Sequence, residues 1–351
     1  MFTATLQTQL ILLGEFSASS YVPLIELQDT LADCARQCRA AGLSEQPVAD
    51  LQNLLRIAPL TPRNGPVAAE AALAYLRSQL SQPVDLRSPR DPLEDRVLSY
   101  KIHRKLGQGC FSEVFLATEL EMKRPVALKI HRPPFRRVKE GDVPLRGLFN
   151  ELRFQAVLDD ATIVRVLRCG LTMGSKPYLA LEHMPGGTLA DRLSVLKDAT
   201  DPSPDAALVI AERMLLAAAA VHASGILHGD MTITNFLIGG QGEIKLADFA
   251  LARRIGEPPY LFERTGSGKR RPEGFLDDVF QLGKVLFQIF TRHPSSISDV
   301  KVLSEPSPSL RRPDLSIPPW IDGLVARSLQ QNHAERFPHA RAMLAYFGSH
   351  L

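Results

Sequence analysis

Residues 225–253 read GILHGDMTITNFLIGGQGEIKLADFALAR, and the fold class turns on this stretch. Phe236, Leu237 and Ile238, then Ile244, Leu246 and Ala247, form two short apolar runs bounded by Gly239, Gly240 and Gly242. Apolar runs joined by a glycine-rich turn predict a β-hairpin. Its ends carry Asp230, Asn235 and Asp248. Two carboxylates and an amide gathered in this way suit phosphate chemistry. Magnesium takes oxygen ligands from one or two carboxylates plus substrate phosphates, and an acceptor hydroxyl needs a carboxylate to orient it. Asp248 and Asn235 read as metal ligands and Asp230 as the residue facing the acceptor. Asp and Asn at loop ends also cap turns, so the reading leans on what lies upstream.

Upstream, three strands are expected at 97–106, 113–117 and 125–130. Between the first two lies LGQGCFSEVF, with Gly107 and Gly109 in a tight turn. Glycines there let backbone N–H groups approach phosphates that side chains would block. The third strand carries VALK, which sets Lys129 in an apolar run. A buried ammonium needs an anion partner. Two are available: nucleotide phosphates, and Glu151 in the helical segment RGLFNELRFQAVL. Two further strands are expected at 163–168 and 178–181. The break at Pro185, Gly186 and Gly187 in EHMPGGTL is where a hinge between two lobes would fall. Helices follow at 189–196 and 204–223. The second carries LLAAAAV, apolar nearly all round, and is expected as a buried pillar under the hairpin.

The chain has 351 residues, a formal net charge of +3 and 45% hydrophobic residues, which argues against nucleic acid as partner. Cys34, Cys38, Cys110 and Cys169 lack the paired spacing of a zinc site, so a reducing, cytoplasmic setting is the default. The N-terminal apolar run is broken by Glu15 and has no basic lead, so neither signal peptide nor membrane is expected. Residues 1–82 read as a helical N-terminal domain: Leu24, Leu27, Leu31, Cys34 and Cys38 line one helical face, which makes both cysteines core residues. Residues 83–97, rich in Pro and charge, read as a linker. The catalytic domain is expected at 98–351, with a small lobe at 98–184 and a large lobe at 185–351.

Taken in order, LGQGCFSEVF, VALK, FNELRF, EHMPGGTL, HGDMTITN and LADFA resemble the signature motifs of the eukaryotic-type protein kinase family, in a bacterial style with an HGD catalytic loop. Downstream, DVFQLG resembles the family's large-lobe helix motif, where Asp278 would brace the catalytic loop, and Arg336 would pair with Glu273. The resemblance implies an α+β, two-lobed fold: a five-stranded sheet with one helix, then a mostly helical lobe. It implies an ATP- and magnesium-dependent serine/threonine kinase, with ATP in the cleft and a protein substrate. Leu106, Val114 and Ala127 would cover the adenine from above, Leu237 from below, and the backbone of Glu182 and Met184 would bond its edge. Lys129, held by Glu151, would take the α and β phosphates under the loop of Gly107 and Gly109. Asn235 and Asp248 would ligate magnesium, Asp230 would act on the acceptor, and His228 would prop the metal-binding loop.

Four positions depart from the family pattern: Ser112, Gly229, Ala250 and Thr232 replace a glycine, an arginine, a glycine and a lysine that touches the γ-phosphate. Tyrosine-specific members place an arginine where this chain has Thr234. Lost charge there slows phosphoryl transfer without abolishing nucleotide binding. Two alternatives therefore stand beside an active kinase: a nucleotide-binding pseudokinase that docks a regulatory partner through its N-terminal helical segment, and an atypical small-molecule kinase or ATPase.

Overall fold

The computed structural model describes residues 99–109, 112–131, 151–155, 158–172, 176–196, 204–257, 274–293 and 305–351. The expected helical region at 1–82, the linker at 83–97, Cys110 and Glu273 lie outside them. The chain divides into two compact units. The first ends at His183; the second begins at Met184 and also holds Leu158–Val164.

In the first unit, β1 (Tyr100–Gln108), β2 (Ser112–Glu119), β3 (Arg124–His131), β4 (Val166–Leu171) and β5 (Pro177–Glu182) form one antiparallel sheet in the order β1-β2-β3-β5-β4. Strand residues alternate between faces. On β3, Val126, Leu128 and Ile130 therefore share one face, where they pack with Tyr100, Ala117, Tyr178 and Ala180. The rings of Tyr100 and Tyr178 meet edge to face at 5.7 Å, a contact worth about 1 kcal/mol beyond area burial. Alternation sends Ala127 and Lys129 to the opposite face. There the register sets Val114 and Leu179 beside Lys129, and Leu181 beside Ala127. Before β4, a π-helical turn at Glu151–Gln155 buries Glu151 and Phe154.

One expected strand shifts. The run from Ile163 to Arg168 does not pair with β5 throughout, and β4 starts at Val166. The reason is a competing partner: Val164 N–H donates to the Leu246 carbonyl and Leu246 N–H to the Thr162 carbonyl, which ties this segment to the second unit.

The second unit contains α1 (Leu189–Leu196), α2 (Asp205–Ala223), β6 (Ile226–Leu227), β7 (Phe236–Ile238), β8 (Ile244–Leu246), β9 (Arg253–Arg254), α3 (Leu276–Thr291), α4 (Pro308–Arg311), α5 (Pro319–Ser328) and α6 (Ala340–Gly348). The hairpin of β7 and β8 forms as expected, turning through Gly242 at φ +77°, a backbone shape that glycine adopts without strain. Helix α2 packs against β8, α3 and α6. It is long and apolar enough to cross a membrane by length and composition alone. Its burial is one-sided, contrary to the all-round burial expected: Ala211, Met214, Leu215, Ala218 and Val221 are buried, while Val209 and Leu216 are exposed. Small side chains at 217–220 give high mean hydropathy without demanding cover. Gly283 lets α3 and α5 approach closely, since a Cβ there would lie 2.7 Å from the Ser328 Cβ.

Candidate active site

The first unit holds a buried ion pair. Lys129 Nζ donates to Glu151 Oε1 at 2.7 Å, with side-chain exposures of 7% and 0%. Such a pair forms because the alternation of β3 turns Lys129 away from the apolar core, and the π-helical turn brings a carboxylate to meet it. Val114 and Ala127 flank Lys129 on the same sheet face, and both keep part of their surface exposed. Leu106, 39% exposed, ends the apolar part of β1. Gly107 pairs with Val114, and Gly109 N–H donates to the Ser112 carbonyl at 2.8 Å. Neither glycine has a positive φ, and a Cβ on Gly107 would meet nothing within 4 Å among the described residues. Packing among the described residues therefore does not require glycine at 107. Glu182 closes this unit's strand array. Its N–H donates to the Arg165 carbonyl at 3.0 Å and its Oε1 accepts the Arg165 N–H at 2.8 Å.

The second unit gathers Asp230, Asn235 and Asp248. Asn235 Nδ2 donates both to Asp230 Oδ2 at 2.9 Å and to the Asp230 carbonyl at 2.8 Å. Both amide hydrogens are thereby used, which fixes the amide's orientation and leaves Oδ1 as the atom to face a cation. The Asn235 carbonyl accepts the Ala247 N–H at 2.9 Å, so the hairpin register sets Asp248 one residue beyond that pair. Asp248 stands at φ +65°, a left-handed backbone that costs a non-glycine residue energy and marks a constrained site. Leu237 lies on β7, bridged to Thr188. Met184, buried, accepts the Gly187 N–H through its carbonyl at 3.2 Å.

The loop before Asp230 is fixed from α3 and α2. Asp278 accepts the N–H groups of His228 and Gly229, both at 2.8 Å. His222, at the end of α2, accepts the Ala340 N–H at its Nδ1, so its Nε2 carries the proton and donates to Asp278 Oδ2 at 3.1 Å. His228 follows the same logic. Its Nδ1 accepts the Asp230 N–H at 3.3 Å, its Nε2 donates to the Ala247 carbonyl at 3.1 Å, and its ring meets Phe249 edge-on. It props the Asp248 loop as the resemblance implies. Burial pushes the His228 imidazole below its ordinary range, despite Asp278 and Asp230 nearby. Burial also raises the Asp230 carboxyl, against the pull of His228 and the Asn235 hydrogen bond. At Asp278 burial acts upward too, yet the hydrogen bonds from His222 and from the backbone N–H groups outweigh it and hold the carboxyl below its usual value.

The family departures acquire structural content here. Thr232 and Thr234 bond to each other through their hydroxyls at 2.9 Å, so no cation is supplied from these two positions. Gly229 adopts φ +80° against Leu251. Arg336 donates to the carbonyls of Gln330 and Leu276 at 2.6 and 3.0 Å and lies over the Phe280 ring at 4.7 Å. His222 escaped sequence reading, because a histidine in an apolar helix gives no sign of which loop it will meet.

Among known proteins, residues 100–337 match the model of the protein kinase domain. Serine/threonine-protein kinase PknL of Mycobacterium tuberculosis is 30% identical over 276 residues, covering 72% of this chain and 66% of PknL. Serine/threonine-protein kinase PknB of Mycolicibacterium smegmatis is 29% identical over 277 residues, covering 72% of this chain and 42% of PknB. The chain thus spans less than two thirds of the length of these relatives. Among solved structures, a chain of the CAK complex from Chaetomium thermophilum bound to ATP-gamma-S matches at a TM-score of 0.54, with 21% identity, covering 70% of this chain and 90% of that one. Sheet, loop and domain match agree: the chain belongs to the protein kinase family.

Proposed function

We propose that the chain is an ATP- and magnesium-dependent protein kinase that transfers the γ-phosphoryl group to serine or threonine hydroxyls. The observation that carries this reading is the double hydrogen bond from the Asn235 amide to Asp230, which holds the carboxylate in place and uses both amide hydrogens, so that Oδ1 is the amide atom able to meet a cation. The acceptor hydroxyl oxygen attacks the γ-phosphorus, the bond from that phosphorus to the β–γ bridging oxygen breaks, ADP departs, and Asp230 takes up the acceptor's proton. Lys129, held by Glu151, engages the α and β phosphates. Gly107, which packing among the described residues does not explain, leaves the backbone open to phosphate. Asn235 Oδ1 and Asp248 fit magnesium, a cation content with one or two protein ligands plus phosphate oxygens. When bound, the ion offsets phosphate charge.

The test is transfer from labelled ATP to the protein itself and to a generic serine/threonine substrate, with Asp230→Asn and Lys129→Met beside wild type. Labelling by both variants at the wild-type rate overturns these roles.

A specific observation favours a second reading. The hydroxyl pair of Thr232 and Thr234 stands where a phosphate-facing cation is expected, which suits a nucleotide-binding scaffold that docks a partner through residues 1–82. A thermal shift with ATP and magnesium but no phosphate transferred or released selects it. Turnover with no protein labelled selects a small-molecule kinase or ATPase instead.

A further inference from the structure

Two side chains of α3 reach the loop around Asp230, and only Asp278 has a role in the account above. Gln281, three residues later and so on the same helical face, accepts the Met231 N–H at its Oε1 at 2.5 Å and donates from its Nε2 to the Gly229 carbonyl at 3.1 Å. Met231 N–H can only donate and the Gly229 carbonyl can only accept, so these partners set the amide's orientation. One side chain therefore bonds the residue before Asp230 and the residue after it, as a neighbouring strand would.

We infer that Gln281 is a positioning residue that sets where the Asp230 carboxylate points; this rests on the kinase reading of the site. The loop needs such a grip. Gly229 has no side chain to anchor it and holds a left-handed backbone at φ +80°. Met231 is fully buried, so its N–H has no recourse to water if the amide is removed. Asp278 fixes the N–H groups of His228 and Gly229, which lie ahead of Asp230. Gln281 alone among the described side chains fixes the peptides on both sides of it. Asn235 holds the carboxylate and the Asp230 carbonyl, and His228 accepts the Asp230 N–H, but each of these grips one side of the residue, whereas Gln281 spans both.

The test replaces Gln281 with Leu, which keeps volume and removes both bonds, and with Ser, which cannot span both partners and serves if the leucine variant does not fold. Steady-state phosphorylation is read beside amide exchange at Met231. The expected result is a kcat lower by about a hundredfold, the scale set by displacing a reacting group by an ångström, with KM for ATP within twofold of wild type and Met231 exchanging at least tenfold faster. A wild-type kcat, an unchanged Met231 exchange rate, or a loss that tracks only the unfolded fraction overturns the inference. If wild type itself transfers no phosphate, the kinase reading fails by that result, whereas the clamp is judged on Met231 exchange alone.

Discussion

Gly229 lies so close to Leu251 that a Cβ on it would stand 2.9 Å from the Leu251 carbonyl oxygen. The glycine that replaces the family's arginine therefore does two things: it removes a cation, and it permits a contact no other residue allows at this φ. Gly229→Arg should not act as a restoration. Both it and Gly229→Ala should lose about 1–3 kcal/mol of stability in denaturant unfolding, through left-handed strain and collision with Leu251. Wild-type stability in the alanine variant would show that this backbone shape is not required.

The Lys129–Glu151 pair gives a prediction that separates stability from function. Lys129→Met leaves the Glu151 carboxylate buried beside an apolar chain and should cost about 3–5 kcal/mol. Adding Glu151→Leu should return part of that loss, because the buried carboxylate that faced the lysine is gone. Phosphoryl transfer should stay low in both. Recovery of activity along with stability would show that the lysine does not meet phosphate.

Asp278 sets an acid limb to stability. Its folded-state carboxyl is held below the ordinary value, so the carboxylate contributes stability that is present above about pH 4 and is lost as pH falls through the lower folded value. Asp278→Asn removes one acceptor from a group that serves two backbone donors and His222. Near neutral pH it should cost about 2–4 kcal/mol. Unfolding measured across pH should show the gap between wild type and variant closing below about pH 4. A gap that persists unchanged into acid would mean that charge at Asp278 is not what stabilises the loop.

How far the sequence reveals this molecule depends on the range of each interaction. The apolar run in VALK was enough to put Lys129 on a strand in need of an anion, and the glycine-bounded runs were enough to place Asn235 near Asp248, because strand and hairpin patterns act locally; that Lys129 faces away from Val126, Leu128 and Ile130 is seen in the structure. Charge balance leaves both Glu151 and nucleotide phosphates open as partners of Lys129; the pairing with Glu151 is what the resemblance implies, and the structure shows it. What sequence could not show was the competition for Ile163 and Val164, which β8 wins, nor the bond from His222 to Asp278, although the resemblance implies that Asp278 braces the catalytic loop. His222 and Gln281 come from two helices far apart in the chain, and nothing in either helix's period announces that His222 will bond Asp278 or that Gln281 will bond residues 229 and 231. The same limit hid the reason for Gly229, whose crowding against Leu251 is a tertiary fact.

Magnesium and nucleotide should bind as one linked event. ATP with magnesium should raise the melting temperature, and chelation should remove most of that rise, since Asn235 and Asp248 offer one amide oxygen and one carboxylate and phosphate oxygens must complete the ligand set. Asp248→Ala should bind ATP with little dependence on magnesium. An equal shift with and without the ion in wild type would exclude this pair as its ligands.

Thr232 offers a gain-of-function test. Its hydroxyl is spent on Thr234 at 2.9 Å, and its backbone N–H and carbonyl bond within the loop to Asp230 and Asn235. A lysine there would keep both backbone bonds, lose only the hydroxyl pair, and add a charge at the position where family members meet the γ-phosphate. Because a single electrostatic contact to developing charge is worth about a hundredfold or more when deleted, Thr232→Lys should raise kcat by about tenfold even with imperfect placement. Single-turnover transfer from labelled ATP measures it directly, free of product release. No acceleration, with ATP affinity unchanged, would mean that the loop does not direct residue 232 at the phosphate and that the threonine pair reflects a different acceptor arrangement rather than a weakened version of the same one.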